Sequence, residues 1–299
     1  MNQIKEKFRA WWQASRPPFY IATFIPLTAG WLLAVKGGAP LQVGLFLLIN
    51  LYSVMVHLAT NLANDYFDHV LGADAGESIG GSRVLQEEKI SIGDLRASLW
   101  VLYTGAALLA AGFMTIRHMW IMSPLVLLSL FSSLFYTAPP IRYGYLGLGE
   151  IFAGVNMGPV MVVGTQWIIT GAPSVTAFLV SLPIGMMVAG ILYYQSMPDM
   201  ETDASVGKRT ITVRLGRRGA YFGLMVQWAV TYALILGLTA GNILSPIAAS
   251  SLLTLPILVR LLRIIPGIED WQELNGYGHY VRKLYFINGT IIILAVWLR

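Results

Sequence analysis

The feature that most constrains this chain is a succession of apolar runs, each close to the length that crosses a bilayer as a helix. A transmembrane helix needs about 20 predominantly apolar residues. Such runs recur at roughly 18–36, 41–64, 95–116, 119–137, 146–170, 174–198, 219–240, 243–264 and 282–298. Composition agrees: the 299 residues are 56% hydrophobic and 12% charged, with a mean hydropathy of +0.64. A soluble domain carries about twice that share of charge. The expectation is an all-α polytopic membrane protein, one domain over 1–299, with nine transmembrane helices in a bundle around a central cavity. Two four-helix halves, about 18–137 and 146–264, plus a ninth helix would make up that domain. With no cysteine, disulfide and thiolate chemistry are excluded.

The first apolar run starts near Pro18, behind the basic and aromatic segment Lys5 to Trp12. It is span-length and further spans follow, so it reads as a retained helix and not as a cleaved signal. Orientation follows from lysine and arginine, which accumulate on the cytoplasmic side. With the N-terminus inside and nine spans, only Lys36, Arg117 and Arg299 of the 20 Lys and Arg fall outside. The C-terminus is then expected outside. The positive charge is accounted for by topology, so no nucleic-acid partner is expected; membrane lipid is the surrounding partner.

Acidic residues gather on the same side, although they contribute little to topology. At the end of the second run, His57, Asn61, Asn64, Asp65 and Asp68 share one helical stripe. At the end of the sixth, Gln195, Asp199 and Asp203 repeat every four residues. One carboxylate at a helix end is ordinarily a solvated terminus. Two matched stripes at one membrane edge face a bundle interior or an aqueous cavity, because ionisable groups are costly beside lipid. Four converging carboxylates repel unless a cation joins them, and Mg²⁺ takes one or two carboxylates together with water and substrate phosphate oxygens. Arg83, Lys208 and Arg209 stand beside the clusters and suit the remaining diphosphate oxygens.

Asn64-Asp65-Tyr66-Phe67-Asp68, then Asp199 to Asp203 followed by Gly207-Lys208-Arg209-Thr210, with Ser15-Arg16-Pro17 at the first helix, resembles the UbiA family of membrane prenyltransferases. The match runs over nearly the whole chain. Tyr136-Thr137-Ala138-Pro139-Pro140 and Gly147-Leu148-Gly149-Glu150 look most like its 1,4-dihydroxy-2-naphthoate polyprenyltransferase branch, in menaquinone synthesis. That branch usually carries Asn-Asn where this chain has Gln195-Ser196, and Arg where it has Pro198.

The resemblance implies Mg²⁺ as cofactor, a polyprenyl diphosphate donor and a small aromatic acceptor. It implies a catalytic and metal set of Asp65, Asp68, Asp199 and Asp203 with Asn64. Asn61, Arg83, Lys208, Arg209, Tyr136 and Arg142 would meet the diphosphate, and Arg16 and Gln195 the acceptor. Arg16 also serves the positive-inside bias. Asp74, His57 and the 265–281 segment have no assigned role. Another phenolic ring or an archaeal-type glycerol lipid remains an alternative acceptor. From a different class, an ion-coupled transporter is disfavoured because such sites lie near the bilayer midplane.

Overall fold

The computed structural model describes residues 2–72 and 81–299, so Asp74 and Glu77 of the second-to-third connection lie outside the described residues. Among the described residues every regular element is helical. Helix α1 (Asn2–Ser15) is amphipathic: Ala10 and Ala14 are buried in a cluster with Leu62, Ala63 and Val84, whereas Ile4, Phe8 and Trp12 are exposed. Arg16 then takes the left-handed conformation (φ 52°), Pro17 and Pro18 open a short turn over Pro17–Phe19, and α2 (Ile21–Lys36) departs at 51°. Proline lacks an N–H and fits a first turn but not a helix interior.

The chain continues through α3 (Val43–Val70), α4 (Ile92–Ile116) and α5 (Ser123–Phe135). Next come the run α6 (Gly149–Thr170), α7 (Val175–Gln195), α8 (Met200–Ser205) and α9 (Ile211–Ala240). The run α10 (Pro246–Gly267) and α11 (Gly278–Trp297) complete it. Starts carry the residues that satisfy orphan N–H groups: Ser91 Oγ accepts from Asp94 N, Ser174 Oγ from Ala177 N and Thr210 Oγ1 from Val213 N.

Seven of the expected spans are long and apolar enough to cross a membrane. The other two are shorter than the sequence runs suggest. The first becomes the bent α1–α2 pair, in which α2 keeps 16 residues; the fourth becomes α5, with 13. At 1.5 Å per residue these helices cover about 24 and 20 Å of a hydrocarbon core of about 30 Å. The cause is local in both cases: left-handed Arg16 with the Pro17-Pro18 pair for α2, and for α5 a 3-10 turn over Trp120–Met122 ahead of Pro124, with a stop after Phe135. The outer surface is lipid-like, with Leu47, Leu51, Trp100, Leu108, Phe222, Val226 and Leu253 all exposed, a continuous display that water would not tolerate.

The main core lies between α2, α6, α7, α9, α10 and α11 around Ile184, Leu224, Trp228, Ile235 and Tyr285. Helix α2 packs on α6 and α11, so the two expected halves interlock, while α3 packs on α4 and α5. A Pro159-bearing π-turn, Asn156–Val160, interrupts α6 where it crosses α7. Gly158 and Gly185 let these backbones touch: a Cβ at Gly158 would lie 2.7 Å from Gly185 Cα. Gly158→Val is therefore expected to cost about 1–3 kcal/mol through overpacking, read as a lower thermal midpoint in detergent. A Cβ at Gly112 or Gly164, by contrast, meets nothing within 4 Å. Gly164→Ala is the matched control.

Candidate active site

The last turns of α3 present His57, Asn61, Asn64 and Asp68 to a cavity of about 530 Å³. The same cavity is lined from the other half by Glu150, Gln195, Ser196, Asp199, Asp203 and Lys208. Two sequence clusters, ending at Asp68 and starting at Gln195, are thus brought to one place. Ile49 lines the cavity too, and 19 residues of α3 separate it from Asp68, about 28 Å at the helical rise. Between and around them stand Leu27, Val56, Met122, Leu125, Val160 and Ile168. The space is polar at one end and apolar for most of a membrane thickness.

Tyr145 joins the clusters. Its hydroxyl donates to Asp68 Oδ1 at 2.6 Å, its ring lies under Lys208 Nζ at 5.5 Å, and Lys208 Nζ meets Asp203 Oδ1 at 3.1 Å. Tyr145 O accepts from Arg209 N at 2.8 Å, which docks the 143–146 turn on the Gly207-Lys208-Arg209 segment. Burial on its own would lower the Lys208 pKa, but the carboxylates of Asp203 and Asp68 outweigh it and hold the ammonium well above its ordinary range. Burial, reinforced by Asp203, pushes Asp199 up to about 6 against the opposing pull of Lys208. Asp203 is raised as well, chiefly by burial.

The second stripe differs from its sequence reading. Helix α7 ends at Gln195, and Ser196–Asp199 form a turn around Pro198, which lacks the N–H needed to continue the helix. Asp199 and Asp203 therefore sit at and in the separate helix α8, linked by Asp203 N donating to Asp199 O at 2.7 Å. All three residues still line the cavity.

Asp65 also differs. It lies in the first stripe but off the cavity wall, 3% exposed, and both its oxygens are occupied. Oδ1 takes Arg16 Nη2 and Ser82 N, and Oδ2 takes Ser82 Oγ. The pairing ties the end of α1 to α3, helped by Asn61 Nδ2 on Ser15 O and Gln13 Nε2 on Ser82 O. Arg16 lines the cavity, yet its guanidinium is already committed to a carboxylate.

Of the expected diphosphate contacts, Asn61, Tyr136 and Lys208 line the cavity and Arg83, Arg142 and Arg209 do not. Arg142 stacks over Tyr145 at 5.2 Å, Arg209 is exposed, and Arg83 occupies a left-handed position (φ 61°) beside Ser82. His57 Nδ1 is hydrogen-bonded to Thr23 Oγ1 at 2.6 Å, a contact between α3 and α2. Within the 265–281 segment, Asn275 and Gly278 line the cavity. Sequence reasoning missed Tyr145, Glu150, Asn275 and Arg282, all at or beside the site. Only Glu150 stood in a quoted motif.

The donor set fits a hard divalent cation. Asn64 Oδ1 is buried without a hydrogen-bond partner, and the Asp199 carboxylate has neither ion pair nor hydrogen bond among the described residues. Among those residues no three His, Asp or Glu side chains form a ready-made metal cage. That arrangement suits Mg²⁺, which usually relies on one or two carboxylates plus substrate phosphates.

Comparison with known proteins agrees with this arrangement. Residues 23–270 match the UbiA prenyltransferase family. A 1,4-dihydroxy-2-naphthoate octaprenyltransferase of Bacillus subtilis is 28% identical over 79% of this chain and 75% of its own length. One from Haemophilus influenzae is 30% identical over 72% of each. Among solved structures, a UbiA homolog from Archaeoglobus fulgidus bound to GPP and Mg²⁺ superposes with a TM-score of 0.63 at 16% identity, covering 95% of this chain and 99% of that one. The family match takes in the cavity-lining helices from α2 through α10 together with both acidic clusters, and the chain belongs to the UbiA family of membrane prenyltransferases.

Proposed function

We propose that this enzyme transfers a polyprenyl group from its diphosphate to 1,4-dihydroxy-2-naphthoate, with Mg²⁺ as cofactor. The observation that carries the reading is one cavity, acidic and Lys208-bearing at one end, that runs about 28 Å along α3 from Asp68 to Ile49 and takes on apolar walls away from the acidic end. A diphosphate head with an isoprenoid tail has that same polarity. The acceptor follows from the relatives, two of which are named as 1,4-dihydroxy-2-naphthoate octaprenyltransferases.

Asn64, Asp68, Asp199 and Asp203 would hold Mg²⁺, which when bound neutralises charge developing on the departing diphosphate. Lys208, fixed by Asp203 and by the ring of Tyr145, offers its ammonium to phosphate oxygens. Asp65 serves instead to hold Arg16 and the Ser82 backbone in place. In the transfer the allylic C–O bond breaks and its electron pair leaves with the diphosphate. The ring carbon bearing the carboxylate forms the new C–C bond, and the carboxylate departs as CO₂, its electron pair restoring the aromatic ring. Apolar walls such as Val56, Met157 and Ile191 keep water from the electron-deficient carbon. The distribution of Lys and Arg supports an orientation with the N-terminus and the acidic end of the cavity cytoplasmic and the C-terminus outside.

The test is an acceptor panel with geranylgeranyl and longer diphosphates. A prenylated, decarboxylated naphthalene product supports the assignment. Product only from 4-hydroxybenzoate or from a glycerol phosphate lipid overturns the acceptor while leaving the family chemistry intact.

A further inference from the structure

Three lysine or arginine side chains line the cavity: Arg16, Lys208 and Arg282. Arg16 is held by Asp65 and Lys208 by Asp203. Arg282, on the second turn of α11, is half-buried and makes neither a hydrogen bond nor an ion pair among the described residues. Its guanidinium carbon stands 5.9 Å from the centre of the Phe19 ring. A Cβ built on Gly278 would lie 3.3 Å from Arg282 Nη1 and 3.8 Å from Tyr194 Cε1, so both side chains border Gly278. Tyr194 is fixed by donating to Leu274 O at 2.8 Å. The next residue, Gln195, and Asn275 both line the cavity, and neither side-chain amide has a hydrogen bond among the described residues.

A cation partly removed from water with no counter-ion has lost hydration without compensation. What compensates it is an anion entering the cavity. The same cavity is lined by these two amides and by the Phe19 and Tyr194 rings, a setting for a flat ring bearing one carboxylate; a guanidinium forks onto that group in two parallel bonds. The diphosphate has its own partners on α3, α8 and Lys208. Resting on the function proposed above, we propose that Arg282, with Gln195 and Asn275, binds the carboxylate of the aromatic acceptor. The sequence offers Arg16 for that role, but its guanidinium is taken by Asp65.

An ion pair of this kind stabilises the bound acid before the reaction as much as during C–C bond formation, and it is lost only afterwards, when the carboxylate leaves as CO₂. Interactions made equally in ground and transition states act on KM and not on kcat. Arg282→Gln is therefore expected to raise KM for 1,4-dihydroxy-2-naphthoate about ten- to a hundredfold, the range for a charge-assisted bond. The decisive readout is the ratio of kcat/KM for this acid to kcat/KM for 1,4-dihydroxynaphthalene, which lacks the carboxylate. That ratio falls by the same factor in Arg282→Gln and by less in Arg282→Lys, with KM for geranylgeranyl diphosphate retained.

An unchanged ratio overturns the assignment, whether activity is normal or both acceptors suffer alike as in a misfolded variant. A raised KM for the diphosphate with an unchanged ratio overturns it too, placing Arg282 with the donor. Wild-type protein that prenylates neither ring overturns the acceptor reading itself and this assignment with it.

Discussion

Asp68→Ala and Asp199→Ala are each expected to lower turnover about a hundredfold or more at saturating Mg²⁺, the usual loss when a group that stabilises transition-state charge is removed. The two act from opposite halves of the fold, Asp68 from the end of α3 and Asp199 from the turn before α8, yet they line one cavity. Among the described residues neither carboxylate is tied to an ion pair, so neither loss breaks a structural link of that kind there. Asp65→Ala is expected to behave otherwise. It frees Arg16 and removes the acceptor for Ser82 N and Oγ, so its first effect is a lower thermal midpoint as α1 loosens from α3. Steady-state rates and melting curves on the three variants check this. Near-normal turnover in Asp68→Ala or Asp199→Ala would remove those residues from the metal set.

Lys208→Ala carries the second large effect, and it acts on both stability and rate. The ammonium stands among Asp203, Asp68 and the Tyr145 ring, with side-chain exposures of 19% for Lys208 and 10% for Asp203. Removing one partner of a buried pair costs about 3–5 kcal/mol, because the other charge is left uncompensated. The proposed function makes the same ammonium a partner of the diphosphate, so kcat/KM for the donor is expected to fall about a hundredfold. The two effects separate in the double variant Lys208→Ala, Asp203→Asn. It recovers much of the lost thermal stability, since the orphaned charge is gone, and stays slower than Asp203→Asn alone, which loses the proposed metal contact but keeps the ammonium. Recovery of rate along with stability would make Lys208 a structural residue only.

Much of this molecule was legible in the sequence, and the failures have physical causes. Apolar runs set helix positions well because lipid demands length and apolarity together. They overstated α2 and α5, where proline and a left-handed residue cut the helices short inside an apolar stretch that looks continuous. Helical spacing placed Asn61, Asn64 and Asp68 on one wall correctly. The same spacing put Asp65 there, but periodicity gives only direction; that Arg16 and Ser82 wait 49 and 17 residues away to claim it is tertiary information. On the second stripe Pro198 was visible but read as a family departure, when its missing N–H ends α7. Arg83, Arg142 and Arg209 were attractive for proximity in sequence to the acidic clusters, yet their side chains lie off the cavity wall. Tyr145 and Arg282 carried no local signal. A tyrosine in a turn and an arginine near a helix start become site residues only when α3, α7 and α11 converge.

The most direct measurement of the proposed chemistry is product stoichiometry with purified protein in detergent, geranylgeranyl diphosphate and 1,4-dihydroxy-2-naphthoate. The expected result is diphosphate, CO₂ and prenylated naphthalene product in equal amounts, abolished by chelation and restored by Mg²⁺. Consumption of neither substrate, or product formed at full rate without a divalent cation, would contradict it.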